Sequence, residues 1–311
     1  INSPSTDDIA LLKNTSEALS VVAGGLNWRR GENVVSTDEE FPSNRIPWQA
    51  QRKFGIEFRE INILHSNDPE LDLINACDKK TRVLTVSSVQ YGSGIRLKLQ
   101  QLGDFCANNN ILFCIDAIQS VGAHLLDVQA IQADFVMADG HKWMLGPEGI
   151  ALFYCKSQTR AQLELRQYGW HMVQNAGDYD DKDWQPAADA HRFECGSPNM
   201  LGIHALSASL SLFEELGMES IYRNILNNTT YLIDKLNYIN GVEIVTPGDE
   251  ERRAGIVTFK IAGQDIHKLH AYLLNNNIIC ACRRAGIRFS PHFYTSKEKL
   301  DNALEVVSSF I

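Results

Sequence analysis

Phe135-Val136-Met137-Ala138-Asp139-Gly140-His141-Lys142-Trp143 carries the first signal of a fold in this chain. The apolar run 135–137 reads as a buried strand, and it ends just before the polar cluster 139–142. A lysine just past a strand end is ordinarily a surface residue. Here Lys142 follows Gly140-His141 and precedes the apolar, turn-forming stretch Trp143-Met144-Leu145-Gly146-Pro147. An amine in an apolar pocket has a lowered pKa and becomes nucleophilic, which is what imine formation with an aldehyde requires.

Two earlier runs repeat the pattern. Residues 83–86 read as a strand ending in Ser87-Ser88, and 111–115 as a strand ending at Asp116. Three polar clusters therefore sit just past the C-terminal ends of successive strands, the edge at which open α/β sheets bind ligands. Strand and helix alternate around them. Strands are expected over 33–36, 57–63 and 150–154, and helices over 48–54 and 97–108. The apolar spacing also predicts a helix over 7–23, with Thr6 or Asp7 as its N-cap. After Gly196-Ser197-Pro198-Asn199 the character changes. A long helical stretch over 202–236 is interrupted near Gly217. Strands follow over 242–245, 255–261, 278–282 and 287–290, with helices over 265–275 and 296–310. The expectation is an α/β chain with a large domain over 1–205 on a mostly parallel sheet and a small C-terminal α+β domain over 206–311.

Length and composition bound the function. A chain of 311 residues can bury a large core. Its net charge of −9 argues against a nucleic-acid partner, which needs a basic face. No apolar run reaches the roughly 18 residues of a membrane span, and no basic n-region followed by an apolar h-region opens the sequence. The seven cysteines form no CxxC pair and read as reduced core thiols of a cytoplasmic protein. Asn14-Thr15-Ser16 and Asn228-Thr229-Thr230 fit the glycosylation pattern by chance. Gly92-Ser93-Gly94-Ile95-Arg96-Leu97 begins like a dinucleotide fingerprint but lacks the third glycine. His171, His191, Glu194 and Cys195 match no standard zinc spacing, so no metal is expected. His65, His124, His204 and His267 show no partner spacing.

Two further clusters suit an aldehyde cofactor bearing a phosphate. Asp116, in Asp116-Ala117-Ile118-Gln119, could hold a pyridinium nitrogen protonated and so sustain an electron sink. It could equally cap the helix that follows. Asn14-Thr15-Ser16-Glu17 offers hydroxyls that suit a phosphate at a helix N-terminus, although the periodicity places these residues inside a helix.

Taken in order, Asp116-x-x-Gln119, Gly140-His141-Lys142-Trp143 and Gly146-Pro147-x-Gly149 resemble the class V aminotransferase family of fold-type I enzymes dependent on pyridoxal 5'-phosphate (PLP). Members include cysteine desulfurases, selenocysteine lyases, kynureninases and isopenicillin N epimerase-like proteins. Further matches are Asn14 to Glu17, Glu40-Phe41-Pro42-Ser43-Asn44 with Pro47-Trp48, Ser88-Val89-Gln90-Tyr91, Arg192-Phe193-Glu194-x-Gly196-Ser197-Pro198-Asn199 and Ile287-Arg288-Phe289-Ser290-Pro291-His292. The resemblance runs over nearly the whole chain, and it implies a seven-stranded large domain.

The resemblance also implies roles. Lys142 would hold PLP as a Schiff base and shuttle the α-proton of an amino acid substrate. Asp116 would face the pyridinium nitrogen, Gln119 the ring hydroxyl, and Phe41 would stack on the ring where desulfurases carry a histidine. Thr15, Ser16, Asp139 and His141 would surround the phosphate, with Ser88 also in the cofactor pocket. Asp139 departs from the serine or threonine of many members. Ser197 would reach the phosphate of a partner subunit, which implies a homodimer with shared active sites. Arg288 would grip the substrate α-carboxylate, with Arg283 as a second active-site arginine.

Desulfurases carry a catalytic cysteine on a loop just before the carboxylate-binding arginine. Here Arg283-Arg284-Ala285-Gly286-Ile287-Arg288 runs straight through without one, while Cys280 and Cys282 fall in an apolar strand pattern as core residues. A persulfide mechanism on this chain is therefore not expected. Members usually have some tens of residues before the segment matched at Ile1, so the chain is expected to lack an N-terminal part of the pattern. Transamination, epimerisation and C–S elimination remain alternatives within the class. The non-enzymatic alternative is an idle binding protein, disfavoured by retention of Lys142, Asp116, Gln119 and Arg288.

Overall fold

A computed structural model describes residues 1–311 and divides them into two compact units. The first comprises Ile1–Ser88, Lys98–Gly122 and Leu126–Leu212; the second comprises Val89–Leu97, Ala123–Leu125 and Phe213–Ile311. The boundary thus falls inside a helix, a little beyond residue 206, and two short segments from the first half of the sequence join the second unit.

The first unit is built on seven strands: β1 (Ile9–Leu12), β2 (Asn33–Thr37), β3 (Glu57–Ile61), β4 (Thr81–Ser87), β5 (Leu112–Asp116), β6 (Phe135–Asp139) and β7 (Ala151–Cys155). Their order is β1-β7-β6-β5-β4-β2-β3. The five strands from β3 to β6 run parallel, while β7 is antiparallel to both β6 and β1. Every residue of β2, β5 and β6 is buried. Covered on both faces, these strands show apolar runs rather than alternation, and the runs end abruptly in polar residues at the sheet edge. At the outer strand β3, Arg59 reaches Glu57 and Asp78 at 2.8 Å each, a charged edge that discourages further strand pairing.

The unit's helices are α1 (Thr15–Gly25), α2 (Ile46–Gln49), α3 (Pro69–Ala76), α4 (Leu99–Asn109), α5 (Ser157–Arg160) and the start of α6 (Met200–Leu216). Ala18, Leu19, Val22 and Ala23 of α1 pack into a core with Trp48, Phe135 and Phe153. The single helix expected over 7–23 is corrected. Thr6–Asp8 is a 3-10 turn, and Ile9–Leu12 pairs with β7, Ile9 opposite Tyr154 and Leu12 opposite Ala151. Four residues of alternating burial are too few to separate period 2 from period 3.6. What ends the strand is Asn14, whose side chain accepts from Glu17 N at 2.8 Å and caps α1. Helix α3 adds to the helices expected from periodicity; Asp68-Pro69-Glu70 supplies its cap, its N1 proline and a first-turn acid.

The second unit carries α7 (Met218–Leu236), α8 (Ile266–Asn275) and α9 (Lys297–Ser309) with strands β8 (Val242–Ile244), β9 (Val257–Ile261), β10 (Ala281–Arg283) and β11 (Gly286–Phe289). The strands form an antiparallel sheet in the order β10-β11-β9-β8. Leu232, Phe259, Leu269, Ile287, Leu300 and Leu304 are part of its core. Gly217, at φ 75°, breaks the long helical stretch where expected. Segment 89–97 is tied in by Thr258 Oγ1 to Gly92 O at 2.7 Å and Thr246 Oγ1 to Ser93 O at 2.6 Å.

All seven cysteines are free. Cys106, Cys114 and Cys155 are buried, whereas Cys77, Cys195, Cys280 and Cys282 are half-buried, so the core placement expected for Cys280 and Cys282 is only partial. No helix is long and apolar enough to cross a membrane.

Candidate active site

Sheet register assembles the centre of the site. Ser87 lies opposite Asp116 across β4 and β5, and Asp116 opposite Met137 across β5 and β6. The three polar clusters therefore end side by side. Asp116 is 2% exposed, and its Oδ1 accepts from Ile118 N at 3.0 Å. Burial pushes its pKa up to about 7; the Ile118 N–H opposes the shift, Glu40 adds to it, Lys142 opposes it and Asp139 adds to it. A cationic N–H facing this carboxylate would restore its charge.

Lys142 sits on a tight turn after β6. Gly146 N donates to Gly140 O at 2.7 Å and Leu145 N to Lys142 O at 3.1 Å. Gly122, at φ +91°, passes so close that a Cβ there would lie 2.4 Å from Trp143 O, so glycine is needed on both counts. The Lys142 amine is 5.6 Å from the centre of the Phe41 ring, which is 40% exposed. A lysine head and an exposed aromatic ring thus share one side of the strand ends.

Other candidates fall around them. Trp143 Nε1 donates to the buried Gln119 Oε1 at 2.8 Å, leaving the amide nitrogen of Gln119 as its donor end. His141 is half-buried beside Lys142. Ser88 is 1% exposed and bonds Ser120 Oγ and, at 3.3 Å, Asp116 O, so its hydroxyl braces two strand ends. Thr15 and Ser16 stand at the first turn of α1, not inside a longer helix. Their placement supplies hydroxyls and the partial positive charge of a helix N-terminus, which favour an anion. Ser16 Oγ meets Ser43 Oγ at 2.7 Å, joining this turn to the Phe41 loop. Asp139 accepts from Thr15 N at 3.0 Å, and burial raises its pKa while that N–H opposes the shift. It therefore already occupies one α1 donor, which explains how a carboxylate is tolerated there.

Two residues beyond the initial set organise the site. Glu40 is 4% exposed and accepts from Thr37 Oγ1 at 3.2 Å, Asn44 Nδ2 at 2.9 Å, Ser87 N at 2.7 Å and Ser87 Oγ at 2.5 Å. Next in sequence to Phe41, it locks the aromatic loop to the end of β4. Trp143 does the same for Gln119. Both lie within the motifs that carry the family resemblance, but their roles depend on contacts across the fold.

Ser197 is exposed. It lines a cavity of about 310 Å³ with Lys13, Glu17, Gly149 and Asn199, whose lining includes none of the strand-end residues. In the second unit, Arg288 on β11 donates to Tyr91 O at 2.8 Å, and its buried Nε has no hydrogen-bond partner. Burial, with the Arg283 charge beside it, pushes its pKa down to about 10. Arg283 lies over the Tyr91 ring at 6.0 Å. Two neighbouring guanidiniums, one under-satisfied, favour an incoming anion. The β10–β11 hairpin turns through Arg284-Ala285 alone, with Arg283 opposite Gly286.

A profile of the family described as aminotransferase class-V matches residues 1–302. The chain is 31% identical, over 95% of its length and 77% of the relative's, to a probable cysteine desulfurase of Methanothermobacter thermautotrophicus. It is 30% identical to a probable cysteine desulfurase of Streptomyces coelicolor, over 100% of this chain and 79% of that one. The apo structure of a cysteine desulfurase from Thermococcus onnurineus matches with a TM-score of 0.90 at 26% identity, covering 99% of this chain and 80% of that one. The fold is accordingly the α/β architecture of fold-type I.

The cofactor of such enzymes is PLP, and the strand-end residues fit it. Asp116 is a buried carboxylate in want of a cation, Phe41 offers an exposed ring, and the first turn of α1 offers the hydroxyls and partial positive charge of a helix N-terminus to a phosphate. With residues 1–302 matched and that fit in place, the chain belongs to the aminotransferase class-V family of PLP-dependent enzymes.

Proposed function

We propose that this enzyme acts at the α-carbon of an amino acid, with Lys142 as its cofactor-binding and proton-transferring lysine. The observation that carries this reading is Asp116, buried at a strand end with its pKa raised to about 7 and Lys142 close enough to affect it. When bound, PLP supplies an electron sink for charge developing at the substrate α-carbon. Asp116 would hold a proton on the ring nitrogen, Gln119 would donate to the ring hydroxyl, and Phe41 would cover one ring face. Thr15, Ser16 and His141 would hold the phosphate, with Asp139 and Ser88 fixing the donors around it. Freed from the cofactor, the Lys142 amine would take the α-proton and return it.

Arg288 is proposed as the anchor of the substrate carboxylate, with Arg283 beside it. A lysine head alone accepts any primary amine, so selectivity needs a second contact. Arg288→Ala is expected to lower kcat/KM toward an amino acid about 100-fold, the cost of about 2.8 kcal/mol of charge-assisted bonding. The corresponding decarboxylated amine should barely respond. Arg288→Lys should already be impaired, since it keeps charge but loses the fork. An unchanged ratio of the two efficiencies would move the anchor to Arg283.

The likeness to cysteine desulfurases favours C–S bond cleavage as a second reading, but without a persulfide on this chain. The two-residue hairpin turn between Arg283 and Gly286 leaves no loop for a nucleophilic cysteine, and burial pushes the Cys280 thiol up to about 11. Incubation with L-cysteine should yield no stoichiometric protein persulfide and no alanine. Persulfide on Cys280 or Cys282 together with alanine would overturn this reading. A screen of amino acids for keto acid, sulfide and racemised product would separate transamination, elimination and epimerisation.

The enzyme is further proposed to be a homodimer, because Ser197 is exposed on its loop, as a residue serving a partner's site would be in a lone chain. Sedimentation should give the dimer mass; a monomer that turns over would contradict it. Seven free thiols support the cytoplasm as its compartment, which activity confined to a secreted fraction would contradict.

A further inference from the structure

We propose that His171, His191 and Glu194 form a binding site for one divalent transition-metal cation of the zinc class. None of the three belongs to the cofactor or substrate set. Spacing alone gave no zinc pattern, because the ligands lie 20 and 3 residues apart along irregular chain, but the fold brings one donor atom of each within 4.8 Å of the others. His191 Nε2 is 2.8 Å from His171 Nδ1 and 3.3 Å from His171 Nε2, and Glu194 Oε2 is 3.8 Å from His171 Nδ1. Tetrahedral zinc, with bonds of about 2.0–2.1 Å to nitrogen and oxygen, sets its ligands about 3.3 Å apart. The cluster brackets that spacing, so small side-chain movements would close it on an ion.

The surroundings hold these donors in place. Leu11 N donates to Glu194 Oε1 at 2.8 Å, which fixes the carboxylate and leaves Oε2 facing the imidazole. Such an outer bond is the usual partner of a metal carboxylate. His191 sits in a 3-10 turn, Ala190–Phe193, capped by Asp189. Beneath it Arg160 bonds Ala188 O at 2.8 Å and pairs with the buried Asp8. The His171 segment is pressed onto the 194–196 segment: a Cβ on Gly169 would lie 2.0 Å from Cys195 O. The side chains of His171 and Glu194 remain 19% and 17% exposed, enough for entry of an ion and for water as a fourth ligand. Two imidazoles and one carboxylate are a donor set that zinc takes with an open position. Cys195 lies outside the set, its Sγ 3.5 Å from Gln167 Oε1. Such an ion would fasten the long irregular stretch after α5 to the segment that carries Ser197.

The test is a calorimetric titration of the chelator-treated, PLP-loaded protein with zinc chloride, repeated with cobalt chloride while recording visible d–d absorption. The expected result is one ion per chain and a tetrahedral cobalt spectrum. His191→Ala should weaken binding more than the roughly 100-fold typical of an outer-shell change. Glu194→Gln, which preserves shape, should weaken it too. His267→Ala, beside Cys282, should leave it unchanged and so exclude that pair as the site. No stoichiometric binding by the wild-type protein overturns the proposal, with no variant required. Binding that survives in His171→Ala/His191→Ala overturns it as well.

Discussion

Lys142→Ala is expected to abolish covalent trapping of PLP by borohydride and to lower turnover by about 10⁴-fold or more. Proton transfer by a positioned side chain alone contributes up to about that factor, and this variant also loses the covalent attachment. The position is rigid. Turn bonds on either side fix the backbone, Gly122 permits the close approach of the Trp143 carbonyl, and Ser209 bonds Met144 O. The side chain is half-buried and close to Phe41, outside the apolar core, so its truncation should leave the fold intact, which circular dichroism and a melting curve check. The alternative attachment point at this end of the sheet is Lys13, beside the first turn of α1, but it is exposed and paired with Glu17 at 3.1 Å. An amine held in that ion pair must leave Glu17 before it can reach an aldehyde. Digestion and mass spectrometry of the reduced protein locate the adduct. A modified peptide carrying any lysine other than Lys142 would sink the assignment.

What could be read from the sequence was local. Strands β4, β5 and β6 are buried on both faces, so each appears as an apolar run, and the polar residues ending them mark the ligand-binding edge. That is why Ser88, Asp116 and Lys142 stood out. What could not be read depends on partners distant in the chain. Asp139 meets Thr15 across 124 residues, and Glu40 meets Ser87 across 47, so neither the cap on α1 nor the hub beneath Phe41 has a linear signature. Segment 89–97 joins the second unit through Thr246 and Thr258, more than 150 residues away. The His171, His191 and Glu194 cluster is hidden for the same reason: metal patterns recognised by spacing assume ligands on one hairpin or helix, and His171 lies in a turn 20 residues before the short 3-10 turn that carries His191. The error over 7–23 is of another kind. Four strand residues and eleven helical residues share a hydrophobic pattern that blurs into one period, and the cap at Asn14 decided where one ended.

Asp116→Asn should lower turnover on the order of 100-fold to 1000-fold, as removal of one preorganised electrostatic partner does, while changing PLP affinity far less. The phosphate and ring contacts proposed for the cofactor come from other residues, so the loss should fall on the chemical step. The same substitution should remove a pH effect on stability. In the protein without cofactor, burial raises the Asp116 pKa from 3.8 to about 7. Between those values the folded chain binds the proton that the unfolded chain releases. Stability contributed by this group is therefore full below pH 4 and falls as pH rises through 7. Asp116→Asn removes that dependence, so the cofactor-free variant should gain on the wild type as pH rises from 4 to 8. With PLP bound, a protonated ring nitrogen facing the carboxylate would favour its charged form. The wild type should then regain part of the ground it lost, and the advantage of the variant should shrink by the amount of the modest difference in PLP affinity. Chemical denaturation of both proteins, with and without PLP, at pH 5 and pH 8 measures the four differences. An advantage that persists unchanged in the loaded protein, or turnover equal to wild type, would remove Asp116 from the ring nitrogen.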